Sequence, residues 1–289
     1  PEEKLKWFRE KKILVRTCQP LSSKNIGAWS PVLLSKFYIF TEEFKKWDKV
    51  VFLDADVIIR ASLDKMTDIS GFAAVIDLST PLLFQFVKET AENTALFCDL
   101  RKSFDLREAA FNAAAMAFNT DIITEKLFSE SLSLFKKYKE IMLFAEQSLL
   151  NLLFHKQWEK LPIVYDIHGG IFSEPFWDET EKEGIETIVL HGQKGQPDHL
   201  FYGEWKENLD RAESIDLDKV LPPRKVWTEE EIRYYDKKIG KLFNRATKDF
   251  IMKEVRCRYT FLDILKIRIG RHFPKFYRSL KAVCGKTAS

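Results

Sequence analysis

The sequence predicts an α/β fold in which a mixed sheet is flanked by helices, followed by a basic helical C-terminal extension. Three observations lead to this fold class. Short apolar runs typical of buried strands alternate with stretches of helical periodicity. Polar residues stand directly after several of these runs, where α/β sheets place their sites. The last part of the chain has a helical pattern and an excess of positive charge.

The composition is that of a globular protein. Of the 289 residues, 45% are hydrophobic and 13% are aromatic, which is enough for a packed core. The four cysteines form no CxxC pair, so neither a zinc site nor a disulfide framework is indicated, and a cytoplasmic location is expected. No apolar run approaches the roughly 20 residues of a transmembrane helix. The chain begins at Pro1 without a signal-peptide pattern, and we expect its true N-terminus to be missing.

Charge is distributed unevenly along the chain. The net charge is +3, yet the residues from Arg224 onward contain 18 Lys and Arg against 7 Asp and Glu. The preceding part is therefore acidic. Together with the Pro222-Pro223 pair, this change predicts one domain over residues 1–223 and a basic helical region over residues 224–289.

The predicted elements follow one another along the chain. A strand over residues 12–16 precedes a polar loop, and Pro31 opens a helix that extends to Phe44. The apolar run 50–53, bounded by charge, is typical of a strand buried on both faces of a parallel sheet. Further strands are predicted over residues 73–76, 113–118 and 187–190, and further helices over residues 121–138 and 145–154.

Two aspartates follow the apolar run 50–53. Asp54-Ala55-Asp56 places two carboxylates on a tight turn at the end of a buried strand. Divalent cations such as Mn²⁺ and Mg²⁺ are held by one or two protein carboxylates together with substrate phosphates. The pattern by itself fits a strand-end turn with capping carboxylates equally well.

The context of these aspartates is more specific. Three blocks occur in order: Leu34-Ser35-Lys36-Phe37, the segment from Trp47 to Val57, and Ser62-Leu63-Asp64. They resemble glycosyltransferase family 8, the group that includes glycogenin and the bacterial lipopolysaccharide galactosyl- and glucosyltransferases. The resemblance extends from about Leu34 to about Pro197. It implies a GT-A-type nucleotide-sugar-binding fold, a UDP-sugar donor and a bound Mn²⁺ or Mg²⁺.

The resemblance also implies roles for particular residues. The cation would be held by Asp54, Asp56 and His191. The residues that would lie beside the reacting carbon are Glu146 and Gln147, within Ala145-Glu146-Gln147-Ser148-Leu149-Leu150-Asn151. The donor would be contacted by Lys36, Asp54, Ala55, Asp56, Asp77, Asn112, Ala113 and Lys194.

The chain departs from the family pattern at several positions. Ala114 and Ser148 stand where the family has glycine, and Gln196 stands where a lysine is expected before Pro197. Lys194 is the candidate to supply that phosphate contact, and His199 is a weaker one.

The reaction implied by the resemblance is transfer of a hexose from a UDP-sugar to an acceptor hydroxyl of a glycan or glycolipid, with retention of configuration. Two alternatives remain open. One is a transferase-like binding module without activity, which the departures favour. The other is a phosphatase of the haloacid dehalogenase type, which also places Asp-x-Asp after a strand. That class needs a downstream Gly-Asp motif, and no Gly-Asp pair occurs in this sequence.

The tail from Trp227 to Ser289 has apolar and aromatic residues at helical spacing among lysines and arginines. A basic amphipathic helix of this kind is typical of proteins that bind an anionic membrane surface, here the inner face of the membrane. A helix packed on the catalytic domain is the alternative. Nucleic acid is not an expected partner, because no recognised binding motif accompanies the charge.

Overall fold

The computed structural model describes residues 2–90, 93–168, 184–192, 201–216, 219, 225–260 and 265. The helices are α1 Glu2–Glu10, α2 Thr94–Ser103, α3 Leu127–Tyr138, α4 Ala145–Leu153, α5 Tyr202–Ser214 and α6 Glu229–Arg258. The strands are β1 Lys49–Leu53, β2 Val57–Ile59, β3 Phe72–Ile76, β4 Phe111–Asn119, β5 Trp158–Leu161, β6 Ile167–His168 and β7 Val189–His191. Short 3₁₀ helices cover Pro31–Phe40, Glu42–Lys46, Asp64–Thr67, Leu82–Gln85, Thr120–Ile122 and Ile163–Tyr165. The predicted mixed α/β fold class is confirmed.

The larger sheet has the strand order β1-β4-β3-β5. Strand β4 runs antiparallel to both β1 and β3, whereas β3 and β5 are parallel. Strands β1 and β3 therefore run in the same direction, and both run toward the N-terminal end of β4. The register places Leu53 opposite Ala115 and Ile76 opposite Phe111. The turns after β1 and β3 consequently lie at one edge of the sheet.

Two strand predictions need correction. The run 50–53 is a strand, but it pairs antiparallel with β4 and its residues are half-buried. The prediction of a parallel strand buried on both faces was therefore wrong. The predicted strand over residues 12–16 is not formed, and Leu14 there is 81% exposed. An apolar run indicates strand propensity, but the pairing partner depends on contacts distant in sequence.

The other predicted elements agree with the structure in position, with differences in type. The predicted helix from Pro31 to Phe44 consists of two 3₁₀ segments separated at Thr41. The predicted helix over residues 121–138 is α-helical only from Leu127. The helix over residues 145–154 is confirmed as α4. The strands over residues 73–76, 113–118 and 187–190 correspond to β3, β4 and β7.

The larger sheet has a hydrophobic core on each face. Along β4, Phe111 and Met116 belong to one core, whereas Ala115 and Ala117 belong to the other. The first core is rich in aromatic rings, and Phe72 stacks on Phe154 with ring centroids 3.9 Å apart. Because β3 and β4 are covered on both faces, the backbone groups near their ends are held in fixed positions.

A smaller sheet has the order β2-β7-β6, with β7 antiparallel to β2 and parallel to β6. Strand β2 begins one residue after Asp56, and Val57 pairs with His191 at the end of β7. Pairing with β2 therefore brings a histidine 135 positions later in the chain next to the two aspartates.

Contacts divide the chain into two units, Pro1–Ala246 and Thr247–Ser289. The first unit therefore extends past residue 223, where the sequence predicts a boundary. The reason is that side chains at the start of α6 and just before it lie in the second core: Trp227, Ile232, Ile239, Leu242 and Phe243. For these residues the packing alternative describes the structure. In the second unit, Arg258 Nε lies 2.6 Å from a carboxylate oxygen of Glu254.

The remaining predictions for the tail, from Phe261 to Leu280, fall almost entirely outside the described residues. Within the described part of the chain, no helix combines the length and the apolar character needed to span a bilayer.

Candidate metal and donor site

Polar side chains from five elements meet at the edge of the larger sheet where β1 and β3 end. Asp54 follows β1 and Asp77 follows β3, and the backbone N–H groups of both donate to carbonyls of the β4 region, those of Ala114 and Ala110. The remaining side chains come from the 3₁₀ helix Pro31–Phe40, the first turn of α4 and the end of β7. The polar residues that the sequence singles out are thus gathered in one place.

The first part of the site is a cluster of possible metal ligands. One ligand atom each from Asp54, Asp56 and His191 lies within 4.8 Å of the other two. Nε2 of His191 is 3.7 Å from Oδ1 of Asp56. The two aspartates are partly exposed, whereas His191 is 8% exposed. A cation between these atoms would therefore be reached from the solvent side.

A fourth residue, Asp166, lies behind the histidine. Its Oδ1 is 3.1 Å from Nδ1 of His191, and its side chain is 1% exposed. Among the described residues, none donates a hydrogen bond to Oδ2 of Asp166. Burial lowers the pKa of His191, but the nearby carboxylates of Asp166, Asp56 and Asp54 outweigh burial, so this pKa is raised above its ordinary value. The ring is thus held between two carboxylates, with Nε2 directed to the cluster.

Lys36 connects the cluster with α4. Its ammonium group lies 2.9 Å from Oδ1 of Asp54, donates to the carbonyl of Ala113 at 2.9 Å, and lies 3.3 Å from Oε1 of Glu146. The lysine side chain is 4% exposed. Burial raises the pKa of Asp54, although the neighbouring Lys36 opposes this effect. Two carboxylates therefore hold this buried ammonium in place.

The second part of the site is a network of amides around Asp77, which is 4% exposed. Its Oδ1 accepts hydrogen bonds from the backbone N–H and hydroxyl of Ser79, at 2.7 and 2.8 Å. Its Oδ2 accepts from Asn112 at 3.4 Å and from the amide of Gln147. Burial raises the pKa of Asp77, opposed by the donors of Ser79 and Gln147. Both carboxylate oxygens are therefore engaged by protein donors.

Gln147 is fixed at both ends of its side-chain amide. Its Nε2 donates to Oε1 of Gln85 at 3.0 Å, and its Oε1 accepts from the N–H of Ala113 at 3.2 Å. Gln85 is fully buried and donates in turn to the hydroxyl of Ser79 at 2.8 Å. The oxygen and the nitrogen of this neutral amide are therefore both held by hydrogen bonds.

Two further residues connect α4 to neighbouring segments. Asn151 accepts from the N–H of Phe111 at 2.8 Å and donates to its carbonyl at 2.9 Å. Ser148, which stands where the resemblance expects glycine, donates to the carbonyl of Gln85 at 2.6 Å and accepts from the N–H of Phe144 at 3.1 Å. The serine hydroxyl therefore connects α4 to the 3₁₀ helix Leu82–Gln85.

The structure brings together nearly all of the predicted site residues. Ala55 is exposed on the turn between the aspartates, and Lys194 and His199 lie outside the described residues. Asp166 and Gln85 were missed. Asp166 follows the buried run Ile163–Tyr165, as Asp77 follows the predicted strand over residues 73–76, so the sequence contained a local signal for it. Gln85 lies in an apolar segment without such a signal.

The ligand set fits the cation that the resemblance implies. Two carboxylates with one imidazole suit Mn²⁺, and the carboxylates suit Mg²⁺. A histidine whose other ring nitrogen faces a carboxylate is the usual arrangement in metal sites. The cluster of three carboxylates, two of them partly exposed, has a net negative charge that a divalent cation would neutralise.

Comparison with protein families identifies the family to which the chain belongs. The model of Glycosyl transferase family 8 matches residues 2–191. This match covers well over half of the chain and includes Lys36, Asp54, Asp56, Asp77, Gln147 and His191. The chain belongs to glycosyltransferase family 8. The mixed sheet flanked by helices agrees with the GT-A-type fold expected for the family.

Individual relatives are distant. Galactinol synthase 4 of Arabidopsis thaliana is 23% identical over 228 residues, which are 74% of this chain and 65% of the relative. Glycosyltransferase GlyB of Streptococcus pneumoniae serotype 4 is 29% identical over 143 residues, 47% of this chain and 29% of the relative. The chain thus spans somewhat less than two thirds of the galactinol synthase and a smaller part of GlyB.

Solved structures with similar folds include two glycosyltransferases. The bifunctional enzyme WbbM superposes with a TM-score of 0.48 and 20% identity, over 63% of this chain and 35% of WbbM. The galactosyltransferase LgtC, in complex with donor and acceptor sugar analogues, gives a TM-score of 0.45 and 19% identity, over 69% of this chain and 71% of LgtC.

Proposed function

We propose that this chain is a metal-dependent retaining glycosyltransferase that moves a hexose from a UDP-sugar to a hydroxyl of a glycan or glycolipid. One observation carries the proposal: ligand atoms of Asp54, Asp56 and His191 lie within 4.8 Å of each other, beside the buried ammonium of Lys36. Family membership supports a nucleotide-sugar donor. The cation would be Mn²⁺ or Mg²⁺.

In this proposal the cation and the lysine side chains bind the diphosphate of the donor. A divalent cation, when bound, supplies positive charge that stabilises the departing diphosphate. Lys36 adds a fixed charge on the same side, since Asp54 and Glu146 hold its ammonium group. Lys194 is the proposed further phosphate contact. Ala55 is exposed on the turn between the aspartates. It is the proposed further contact to the donor.

The amide network would orient the sugar. Asn112, Ala113 and Asp77 line the sugar side of the site in this proposal, and Gln147 joins them through hydrogen bonds to Asp77 and Ala113. The amide of Gln147 is a poor nucleophile, and the carboxylate of Glu146 faces Lys36. We therefore propose attack by the acceptor on the face from which UDP departs, with the leaving phosphate accepting the proton.

The test is release of UDP from UDP-glucose and UDP-galactose by the protein with MnCl₂, with and without a glycan acceptor. We expect release that EDTA abolishes and that Asp56→Asn abolishes as well. Hydrolysis of p-nitrophenyl phosphate in its place would support the phosphatase alternative. Mn²⁺-dependent donor binding without release would support an inactive binding module. Release that is insensitive to EDTA would contradict the metal-dependent mechanism.

For the tail we propose binding to the cytoplasmic face of an anionic membrane. The proposal depends on the sequence after Ala246, since Trp227 and the first turns of α6 pack in the core. Each basic side chain near the surface contributes on the order of 1 kcal/mol, an attraction that salt weakens. The protein should co-sediment with liposomes that contain phosphatidylserine, and a chain that ends after Ala246 should not. Equal sedimentation of both, or sedimentation with neutral liposomes, would contradict membrane binding.

A further inference from the structure

An exposed tryptophan lies beside the segments that carry the candidate site. Trp29 is 41% exposed, although its indole N–H donates to the backbone carbonyl of Leu143 at 2.8 Å. The indole has no other polar group, so this hydrogen bond orients the ring while part of its apolar surface faces the solvent. An aromatic ring that is held in place and open to solvent is available to a ligand.

Trp29 is connected to both segments that supply Lys36 and Glu146. The next residue along the chain caps the 3₁₀ helix Pro31–Phe40, which contains Lys36. Leu143, which accepts from the indole, comes three residues before Glu146, a distance of at most about 11 Å along the chain. The ring of Trp29 therefore lies at the margin of the site, on the side of the carboxylate that faces Lys36.

A second aromatic ring lies next to the first. Phe144 is half-buried, and its ring centroid is 6.2 Å from that of Trp29, with the two planes inclined by 52°. The loop that carries the tryptophan is itself held in place, because Ile26 and Trp29 donate to each other's backbone carbonyls at 3.0 Å. Gly27 between them has a φ of +57°, which glycine adopts without strain. We call the rings of Trp29 and Phe144 the aromatic platform.

The surroundings of the aromatic platform limit the chemistry of its ligand. The same loop exposes the polar side chains of Ser23, Lys24, Asn25 and Ser30. A wholly apolar ligand such as a lipid chain would leave these groups without partners. A pyranose ring has one face of C–H groups and an edge of hydroxyls. Stacking that face on an aromatic ring removes apolar area from water, while the hydroxyls remain free to bond to the polar groups.

We propose that the aromatic platform binds a sugar residue of the acceptor glycan, with the pyranose ring stacked on Trp29. The tryptophan then determines acceptor specificity, because the ring selects saccharides whose C–H face can lie flat against it. This inference rests on the proposed transfer reaction, since it treats the bound saccharide as the acceptor. The contact itself needs neither the cation nor the donor, so it can be measured by binding alone.

Saturation-transfer difference NMR tests the proposal with methyl β-D-glucopyranoside and methyl β-D-galactopyranoside as probes. The measurements use the full chain in EDTA without a donor. Trp29→Leu removes the ring, whereas Trp29→Phe removes the hydrogen bond to Leu143 but keeps a ring. Trp47→Leu is the matched control, because Trp47 is 40% exposed and precedes β1, whereas Asp54 follows β1. Five strand residues at about 3.3 Å each separate the two ends by roughly 17 Å.

At least one glycoside should bind with a dissociation constant that rises about tenfold in Trp29→Leu and about threefold in Trp29→Phe, as expected for losing all or part of a stacking contact. Binding should be unchanged in Trp47→Leu. Absence of saturation transfer from both glycosides, or equal affinity of Trp29→Leu and the unaltered chain, would overturn the proposal. Equal losses in Trp29→Leu and Trp29→Phe would overturn it as well, because they would assign the tryptophan to the loop through its hydrogen bond.

The same measurements separate this inference from the transfer reaction. Absence of UDP release, together with the expected loss of glycoside affinity in Trp29→Leu, would contradict the transfer reaction and leave the saccharide contact in place. UDP release by the unaltered chain, together with unchanged glycoside affinity in Trp29→Leu, would overturn only the role of Trp29.

Discussion

The two parts of the candidate site differ in how far the protein satisfies its own polar groups. Around Asp77, both carboxylate oxygens accept hydrogen bonds from protein donors, and Gln85 and Gln147 are bonded to each other. Around His191, three carboxylates surround one imidazole, and Oδ2 of Asp166 receives no hydrogen bond from any described residue. We call the hydrogen-bonded group around Asp77 the amide part, and we call the group of carboxylates around His191 the cation part.

The difference indicates what each part contributes. The amide part consists of satisfied buried bonds, which stabilise the native state and fix the geometry. The cation part brings like charges together, which costs free energy until a cation neutralises them. Changes in the cation part should therefore affect metal affinity, whereas changes in the amide part should affect stability.

The largest effect is expected when both aspartates of the cation part lose their charge. Asp54→Asn combined with Asp56→Asn should lower the Mn²⁺ affinity by about 100-fold or more, because two of three protein ligands become neutral. Electron paramagnetic resonance of free Mn²⁺ measures this. Asp236→Asn is the control, a carboxylate that accepts from the N–H of Ile163 outside the site. Equal Mn²⁺ affinity in the double variant and the control would remove the basis of the cation part.

The next effect concerns Asn151, which adjoins the amide part because its side chain also donates to the backbone carbonyl of Gln147 at 2.9 Å. Asn151→Leu should lower the free energy of unfolding by about 2–3 kcal/mol, because both backbone groups of Phe111 lose a buried partner. Urea denaturation followed by circular dichroism measures the change. The Mn²⁺ affinity of the folded variant should equal that of the unaltered chain. A stability equal to that of the unaltered chain, or a parallel loss of metal affinity, would show that the two parts are not separable.

A smaller effect is expected behind the histidine. Asp166→Asn should weaken Mn²⁺ binding by roughly tenfold, since the carboxylate that faces Nδ1 of His191 orients the ring. The free energy of unfolding should not fall, because one of the crowded carboxylates is removed. Isothermal titration calorimetry and urea denaturation measure the two quantities on the same sample. A loss of stability without a loss of affinity would assign Asp166 to the fold rather than to the metal.

The smallest effect is expected at Ala114, where the family has glycine. Ala114 is 1% exposed within β4, so Ala114→Gly should lower the free energy of unfolding by about 1 kcal/mol through greater freedom of the unfolded chain. The Mn²⁺ affinity should not change. If the glycine variant instead bound UDP-glucose at least tenfold more tightly, the methyl group would have to be counted among the residues that restrict the donor.

The sequence by itself determined the strand ends and the helix that carries the site. Local burial depends on residues close in sequence. It is indicated by the apolar runs before Asp54 and Asp77 and by the periodicity of α4. The order of the motifs also placed the chain in its family. For this reason Lys36, Asp54, Asp56, Asp77, Gln147 and His191 could be named before their positions were known.

The tertiary structure decided the features that depend on distant contacts. The antiparallel insertion of β4 between β1 and β3 is one, because an apolar run of a few residues does not specify its neighbour. The contact of Asp166 with His191 is another, since it requires β6 and β7 to pair. The place of Trp227 in the second core is a third. Each results from packing between segments far apart in the chain, which local periodicity and charge do not encode.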